Sequence, residues 1–292
     1  MALLLLPAVV LGLSLASAGR SVTPPAKMTL AYVSDNGGIW LVGSDGTDLR
    51  RLRGTDDAMD AAPSPDAKYI AFTIPSFTDD RADIWLVGVD GKGLRRLTHD
   101  GESALPEWSP TGRRIFFFSN NYGYSMMNAD GTGNHRLPKH HPPIGAWSPD
   151  GSRVALTSTD SRNRSQIYVM NSDGSNRRQL TANRQSPVAV SYSDPTWAPD
   201  GRSLAFARTI DERVDICRIG VDGRGRRCIA RGGAAVPNDA PSWSPDGGLI
   251  AFARSTGVGE AEIFVIRPDG TGERQLTRGA QAFSPIWLPL TN

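Results

Sequence analysis

Few residues in this sequence are suited to chemistry, and their spacing says what they can do. Four histidines and two cysteines occur in 292 residues. His140 and His141 are neighbours in Lys139-His140-His141-Pro142-Pro143. Adjacent side chains on an extended chain point apart, so this pair alone cannot converge on a metal. Cys217 and Cys228 lack the C-x-x-C spacing of a zinc or redox pair. The sequence holds no G-x-S-x-G elbow, which excludes a prolyl-peptidase-like serine site within it. Asp-Gly pairs recur at 45–46, 90–91, 130–131, 173–174, 222–223 and 269–270. Even the most ligand-like copy, Asp173-Gly174-Ser175-Asn176, lacks the alternating oxygen donors and closing acid of a calcium loop. These pairs read as hairpin turns, where Gly supplies the positive φ.

The 32 Lys plus Arg nearly balance the 30 Asp plus Glu, leaving a net charge of +2. A nucleic-acid binder usually shows a basic stripe or block, and none is present. All but four of the basic residues are arginine, scattered beside acidic or polar neighbours, and they read as solvated faces. With 31 Gly and 21 Pro, the chain turns often.

Leu3 to Leu15 form an uncharged apolar run that ends in Ala16-Ser17-Ala18, a small-x-small cleavage pattern. Residues 1–18 therefore read as a secretory signal and 19–27 as a linker, which predicts an exported protein, periplasmic, envelope-bound or extracellular. The rival is an uncleaved anchor. No later stretch is apolar enough to span a membrane.

The rest of the chain is one repeated unit. Trp147-Ser148-Pro149-Asp150-Gly151 recurs at Trp197 and Trp243, with weaker copies at Trp108 and Pro63 and a fragment at Trp287. The motif prolines at 65, 110, 149, 199, 245 and 289 lie about 45 residues apart, and the Asp-Gly pairs share that period. Between the markers stand short β-branched and aromatic runs such as Ile70-Ala71-Phe72, Ile84-Trp85-Leu86-Val87 and Arg95-Arg96-Leu97-Thr98, which are strand signals. Four strands in 40–45 residues is the period of a propeller blade.

The first blade starts at Thr29-Leu30-Ala31-Tyr32-Val33, which matches a second strand, whereas Ser284-Pro285-Ile286-Trp287 is a first strand with nothing after it. The expected fold is all-β: a six-bladed propeller of four-stranded blades over 28–292, closed by pairing the C-terminal strand with the N-terminal blade. Cys217 and Cys228 lie symmetrically about the Asp222-Gly223 turn, so they should face each other across the third and fourth strands of one blade. In an exported protein that pair predicts a disulfide.

These repeats resemble the WD40-like (PD40) repeats of the TolB-type six-bladed propellers, over roughly residues 28–292. The resemblance implies an exported binding protein without intrinsic catalysis. In that family an α/β domain precedes the propeller; here the linker leads straight into the first blade.

Antiparallel topology puts the stereotyped Pro-Asp-Gly and Asp-Gly turns on one face. The other face receives longer connections: Arg53 to Ala62, Ser76 to Asp83, Pro138 to Ala146, Ser158 to Gln166, Ala182 to Thr196 and Ala230 to Ser242. Variable loops on a rigid scaffold are where recognition usually sits. Asp60 and Asp194, three residues before the motif's Trp slot, and Asp239, four before it, should ring the channel mouth on that face. Such a mouth could hold a cation or a basic peptide end. The expectation is a monomeric, non-catalytic scaffold for a protein or peptide partner, with no cofactor and no nucleic acid. The rival is a metal-dependent hydrolase, lyase or lactonase with an axial site, which needs His or carboxylate ligands converging from several blades.

Overall fold

The structure is a computed structural model that describes residues 27–35, 37–76, 81–137, 145–160, 164–182, 190–233, 238–257 and 260–290. The signal segment, most of the linker and the His140-His141 pair lie outside the described residues. Among the described residues all regular structure is strand, in six four-stranded antiparallel sheets. No helix there is long and apolar enough to cross a membrane.

Blade 1 contains β1 (Thr29–Ser34), β2 (Ile39–Gly43) and β3 (Arg50–Arg51). Blade 2 runs from β4 (Met59–Pro63) through β5 (Tyr69–Pro75) and β6 (Ala82–Gly88) to β7 (Arg95–Arg96). Blade 3 comprises β8 (Ser103–Trp108), β9 (Arg114–Ser119), β10 (Gly123–Asn128) and β11 (His135–Arg136). Blade 4 comprises β12 (Ala146–Trp147), β13 (Arg153–Thr159), β14 (Ser165–Asn171) and β15 (Arg178–Gln179). Blade 5 comprises β16 (Val190–Trp197), β17 (Ser203–Ile210), β18 (Arg213–Gly220) and β19 (Arg227–Ala230). Blade 6 comprises β20 (Asn238–Trp243), β21 (Ile250–Gly257), β22 (Glu260–Ile266) and β23 (Arg274–Gln275), and β24 (Ala282–Trp287) completes blade 1. The closure is the expected one: β24 pairs with β1 through Leu30–Trp287 and Ala31–Ile286.

The motif residues hold this ring together. In Ser148-Pro149-Asp150-Gly151 the Ser148 hydroxyl donates to Asp150 at 2.6 Å and accepts from the Arg153 N–H at 2.9 Å, so the turn satisfies itself. Ser64 and Ser244 repeat the pattern. The motif tryptophans work between blades. The indole N–H of Trp108 donates to Ala62 O at 3.0 Å, that of Trp197 to Ala146 O at 2.8 Å, and that of Trp287 to Ser242 O at 3.2 Å. Each bond ties one innermost strand to the preceding one, and each ring is almost fully buried.

Two expectations need correction. Several arginines are interblade staples, not merely solvated. The first residue of a fourth strand reaches a turn carbonyl of the next blade: Arg50 to Val89 at 2.9 Å, Arg178 to Val221, Arg227 to Pro268 at 2.9 Å, and Arg274 across the closure to Ser44. A planar guanidinium with several donors suits a carbonyl cluster better than an ammonium does. The connections on the second face are also shorter than the sequence suggests. Strand β16 begins at Val190 and β20 at Asn238, so parts of 182–196 and 230–242 are ladder. The β17–β18 hairpin is tight, with Asp211 and Glu212 both left-handed.

Cys217 and Cys228 are register partners, and their sulfurs are joined in a disulfide. The equivalent pairs in other blades are Trp40–Arg51, Trp85–Arg96, Tyr168–Gln179 and Phe264–Gln275.

Candidate functional site

The channel is walled by the innermost strands, and these share a local distortion. Ser284, Asp60, Leu105, Asp194 and Ala240 each stand three residues before the Trp slot and have φ between 45° and 56°. A non-glycine residue in this region is strained. At each of these sites the ladder to the second strand breaks, as between Met59 and Ala62 or Ser193 and Thr196. These are β-bulges, which bend a strand and re-aim side chains. They bend the strand just where it reaches the long-loop mouth.

Asp60 and Asp194 come together at that mouth. They line one cavity of about 710 Å³ with Leu105, Glu107, Phe118, Tyr124 and Ile286. Asp239 does not line it; it stands exposed on blade 6, near enough to Asp194 to feel its charge. Desolvation, and then the Asp194 charge, push the Asp239 carboxyl up to about 6. Desolvation also raises Asp60, against the Thr73 hydroxyl and the Leu105 N–H, which both favour its ionised form.

The sequence reading missed Glu107. It occupies the position just before the Trp slot, filled in the other blades by Ala62, Ala146, Thr196, Ser242 and Ile286. Glu107 borders the mouth cavity and also a second cavity of about 460 Å³ at the turn-lined end, as do Ala62 and Ile286. It therefore stands at the waist of the channel. Burial pushes its carboxyl up to about 8, against one stabilising hydrogen bond from the Gly145 backbone. Aligning the repeats by this one column would have exposed it as the only charge there.

Beside these acids lies apolar surface that the fold leaves open. Leu105 is 52% exposed and Tyr124 is 40% exposed, and the Tyr124 ring stands edge-on to Phe118 at 5.6 Å. Tyr122, in the adjoining hairpin, is also open. Among the described residues no group of three or more His, Cys, Asp or Glu side chains is disposed to hold a metal ion. A carboxylate-bearing, half-apolar hollow can bind and orient a ligand; among the described residues that line it, no nucleophile and base are paired.

Fold and mouth together define a six-bladed propeller with its candidate binding face around one end of the axial channel. Residues 139–291 match the family described as the TolB beta propeller domain (PD40). That is more than half of the chain, and the chain belongs to this family. The crystal structure of TolB from Acinetobacter baumannii superposes with a TM-score of 0.72 at 20% identity, over 90% of this chain and 67% of that one. A Tol-Pal system protein TolB from Anaeromyxobacter dehalogenans is 35% identical over 96 residues, which is 32% of this chain and 21% of that protein. An uncharacterized peptidase, YuxL of Bacillus subtilis, is 33% identical over 70 residues, 24% of this chain. The chain spans only 10% of that peptidase's length.

Proposed function

We propose that this protein is an exported, non-catalytic propeller that binds a protein or peptide partner in the cell envelope, using the long-loop mouth of its channel. The observation that carries the reading is the mouth itself: under-solvated carboxylates set beside open Leu and Tyr surface, on strands bent toward that end. Kinship with TolB, a Tol-Pal system protein, supports it. Export rests on the apolar run and the Ala16-Ser17-Ala18 pattern.

The test is capture from envelope extract by residues 19–292, identified by mass spectrometry. Wild type and a turn-face variant, Ser148→Ala, should retain the same partner, and Tyr124→Ala should lose it. Equal capture by all three would overturn the reading. Partner loss in Ser148→Ala alone would place the binding face at the other end.

A further inference from the structure

We propose that the mouth receives a cationic group of its partner polypeptide, a Lys or Arg side chain or an amino terminus with an apolar neighbour, with Glu107 as its counter-ion and Leu105, Phe118 and Tyr124 as the wall for the apolar neighbour. This rests on the reading of the mouth as a binding face and adds the chemistry of what enters it.

Four observations point the same way. The described residues that line the cavity include three carboxylates, Asp60, Glu107 and Asp194, and no basic side chain. Among these residues an anionic ligand would meet only like charge. Glu107 is not demanded by the fold, because the same position in the other five blades is neutral. The apolar wall is Leu105, Phe118 and Tyr124, from the same blade as Glu107; it supplies no oxygen set for a metal ion but does suit the methylene stem of a long cation and attracts its charged head to a ring face. The hollow, at about 710 Å³, lies within the range of ligand pockets.

Proton linkage gives the proposal a signature. Desolvation keeps the Glu107 carboxyl largely protonated at neutral pH. The described charged groups that share its cavity, Asp60 on β4 and Asp194 on β16, are acidic and offer it no counter-charge. A bound ammonium or guanidinium would stabilise the carboxylate, so Glu107 should lose its proton as the ligand seats. Affinity should then rise as pH is raised toward about 8 and level off above it, a range in which Lys stays protonated.

The experiment is calorimetric titration of residues 19–292 with acetyl-Gly-Leu-Lys-Leu-Gly-amide and with its twin carrying Nε-acetyl-lysine. The lysine peptide should bind about tenfold or more tightly than its twin, the range of one desolvated charge pair. Its affinity should increase from neutral to alkaline pH, and its apparent enthalpy should depend on the buffer's ionisation heat. Glu107→Gln should remove the preference and the pH dependence. Tyr124→Ala should weaken both peptides alike. Equal affinities for the two peptides, a lysine preference that survives Glu107→Gln, or no saturable binding at millimolar peptide would each overturn the proposal. Capture from envelope extract separates the two levels. If Tyr124→Ala loses the partner and Glu107→Gln keeps it, the binding face stands and the cation site falls; if neither variant changes capture, both fall.

Discussion

At the turn-lined end of the propeller Asp45, Asp66, Asp130, Asp150, Asp173 and Asp269 are all held below the usual carboxylate range; at the loop-lined end Asp60, Asp239 and Glu107 are all raised above it. The cause differs in kind. Each turn aspartate has donors built around it: Asp45 accepts from the Thr47 N–H and hydroxyl, and Asp150 from the hydroxyls of Ser148 and Ser152 and the Ser152 N–H. The Asp60 and Glu107 carboxyls have lost water and gained few donors, and Asp239, the most open of the three, has the Asp194 charge beside it. Acids satisfied by their own turn are architecture. Acids kept short of partners, beside open apolar surface, are the ones with something left to bind.

The largest test asks whether the two ends are one cooperative body. Trp287 is buried, closes the ring through β24 and donates to Ser242 O. Trp287→Ala should cost about 3–5 kcal/mol, and deletion of 284–292 more, since the strand pairing goes too. Circular dichroism and partner capture should fall together. A deletion variant that melts within a few degrees of the parent would break the closure argument.

Next in size is the pH response, where the two ends should pull in opposite directions. Glu107 has a folded-state pKa of about 8 against an ordinary value near 4.3. The folded state therefore holds a proton that the unfolded state has lost, and stability should fall as pH rises from about 4 to about 8. Allowing for water entering the mouth, the span should be about 2–3 kcal/mol. The turn aspartates act at the other limb. Asp45 and Asp150, lowered to about 2, support the fold above about pH 4 and lose that effect as pH falls from about 4 to about 2. Urea melts should show Glu107→Gln flattening the decline between about pH 4 and about pH 8 and leaving the acid limb below it alone. An unchanged decline over that range would mean that the Glu107 carboxyl is well solvated.

A third test compares blade 5 with its neighbours. In blades 1, 2, 4 and 6 a threonine clasps the third strand: Thr55, Thr98, Thr181 and Thr277 accept from the N–H of Ile39, Ile84, Ile167 and Ile263 at 2.9–3.0 Å. In blade 5 the chain at that point is Ala230, paired directly with Ile216, and the neighbouring link is Cys217–Cys228. We infer that the cross-link substitutes for the clasp in this blade. The loop it closes is short, so reduction or Cys228→Ser should cost about 2–3 kcal/mol at most. Thiol labelling of unfolded, non-reduced protein should find no free thiol; two per chain would overturn the link.

What the sequence disclosed follows from range. Strands, turns and the six-fold count repeat every 45 residues or so and depend on local chemistry, so Asp-Gly and Ser-Pro-Asp-Gly announce them. The cysteine pairing was legible because both residues lie in one hairpin, at equal distance from Asp222-Gly223. Arg274 was not legible as a staple, since its acceptor, Ser44, is 230 residues away. The mouth was half legible. Asp60 and Asp194 drew notice as acids, but the common feature of their position is the left-handed bulge they share with Leu105, Ala240 and Ser284, which residue type does not encode. Glu107 escaped because its meaning depends on what four other blades place around it.

The smallest expected effect is the sharpest control on the comparison. Ser148 is buried, and its hydroxyl both donates to Asp150 and accepts from Arg153. Ser148→Ala removes two hydrogen bonds and leaves the Arg153 N–H without its hydroxyl partner, which should cost about 1–2 kcal/mol. The Asp150 carboxyl also loses the largest influence holding it low, so its pKa should climb toward the ordinary value and the acid limb of stability should move to higher pH. The turn lies on the face opposite the mouth, and the Trp147 next to it stacks on Phe116 at 5.6 Å, away from Leu105 and Tyr124. Peptide affinity and its pH dependence should therefore match wild type within error, although the protein melts earlier. Carboxyl chemical shifts followed through an acid titration would check the first half and calorimetry the second. A turn-face variant that altered mouth affinity without unfolding would mean that the two ends communicate through the blades, and the division between structural and binding acids would have to be redrawn.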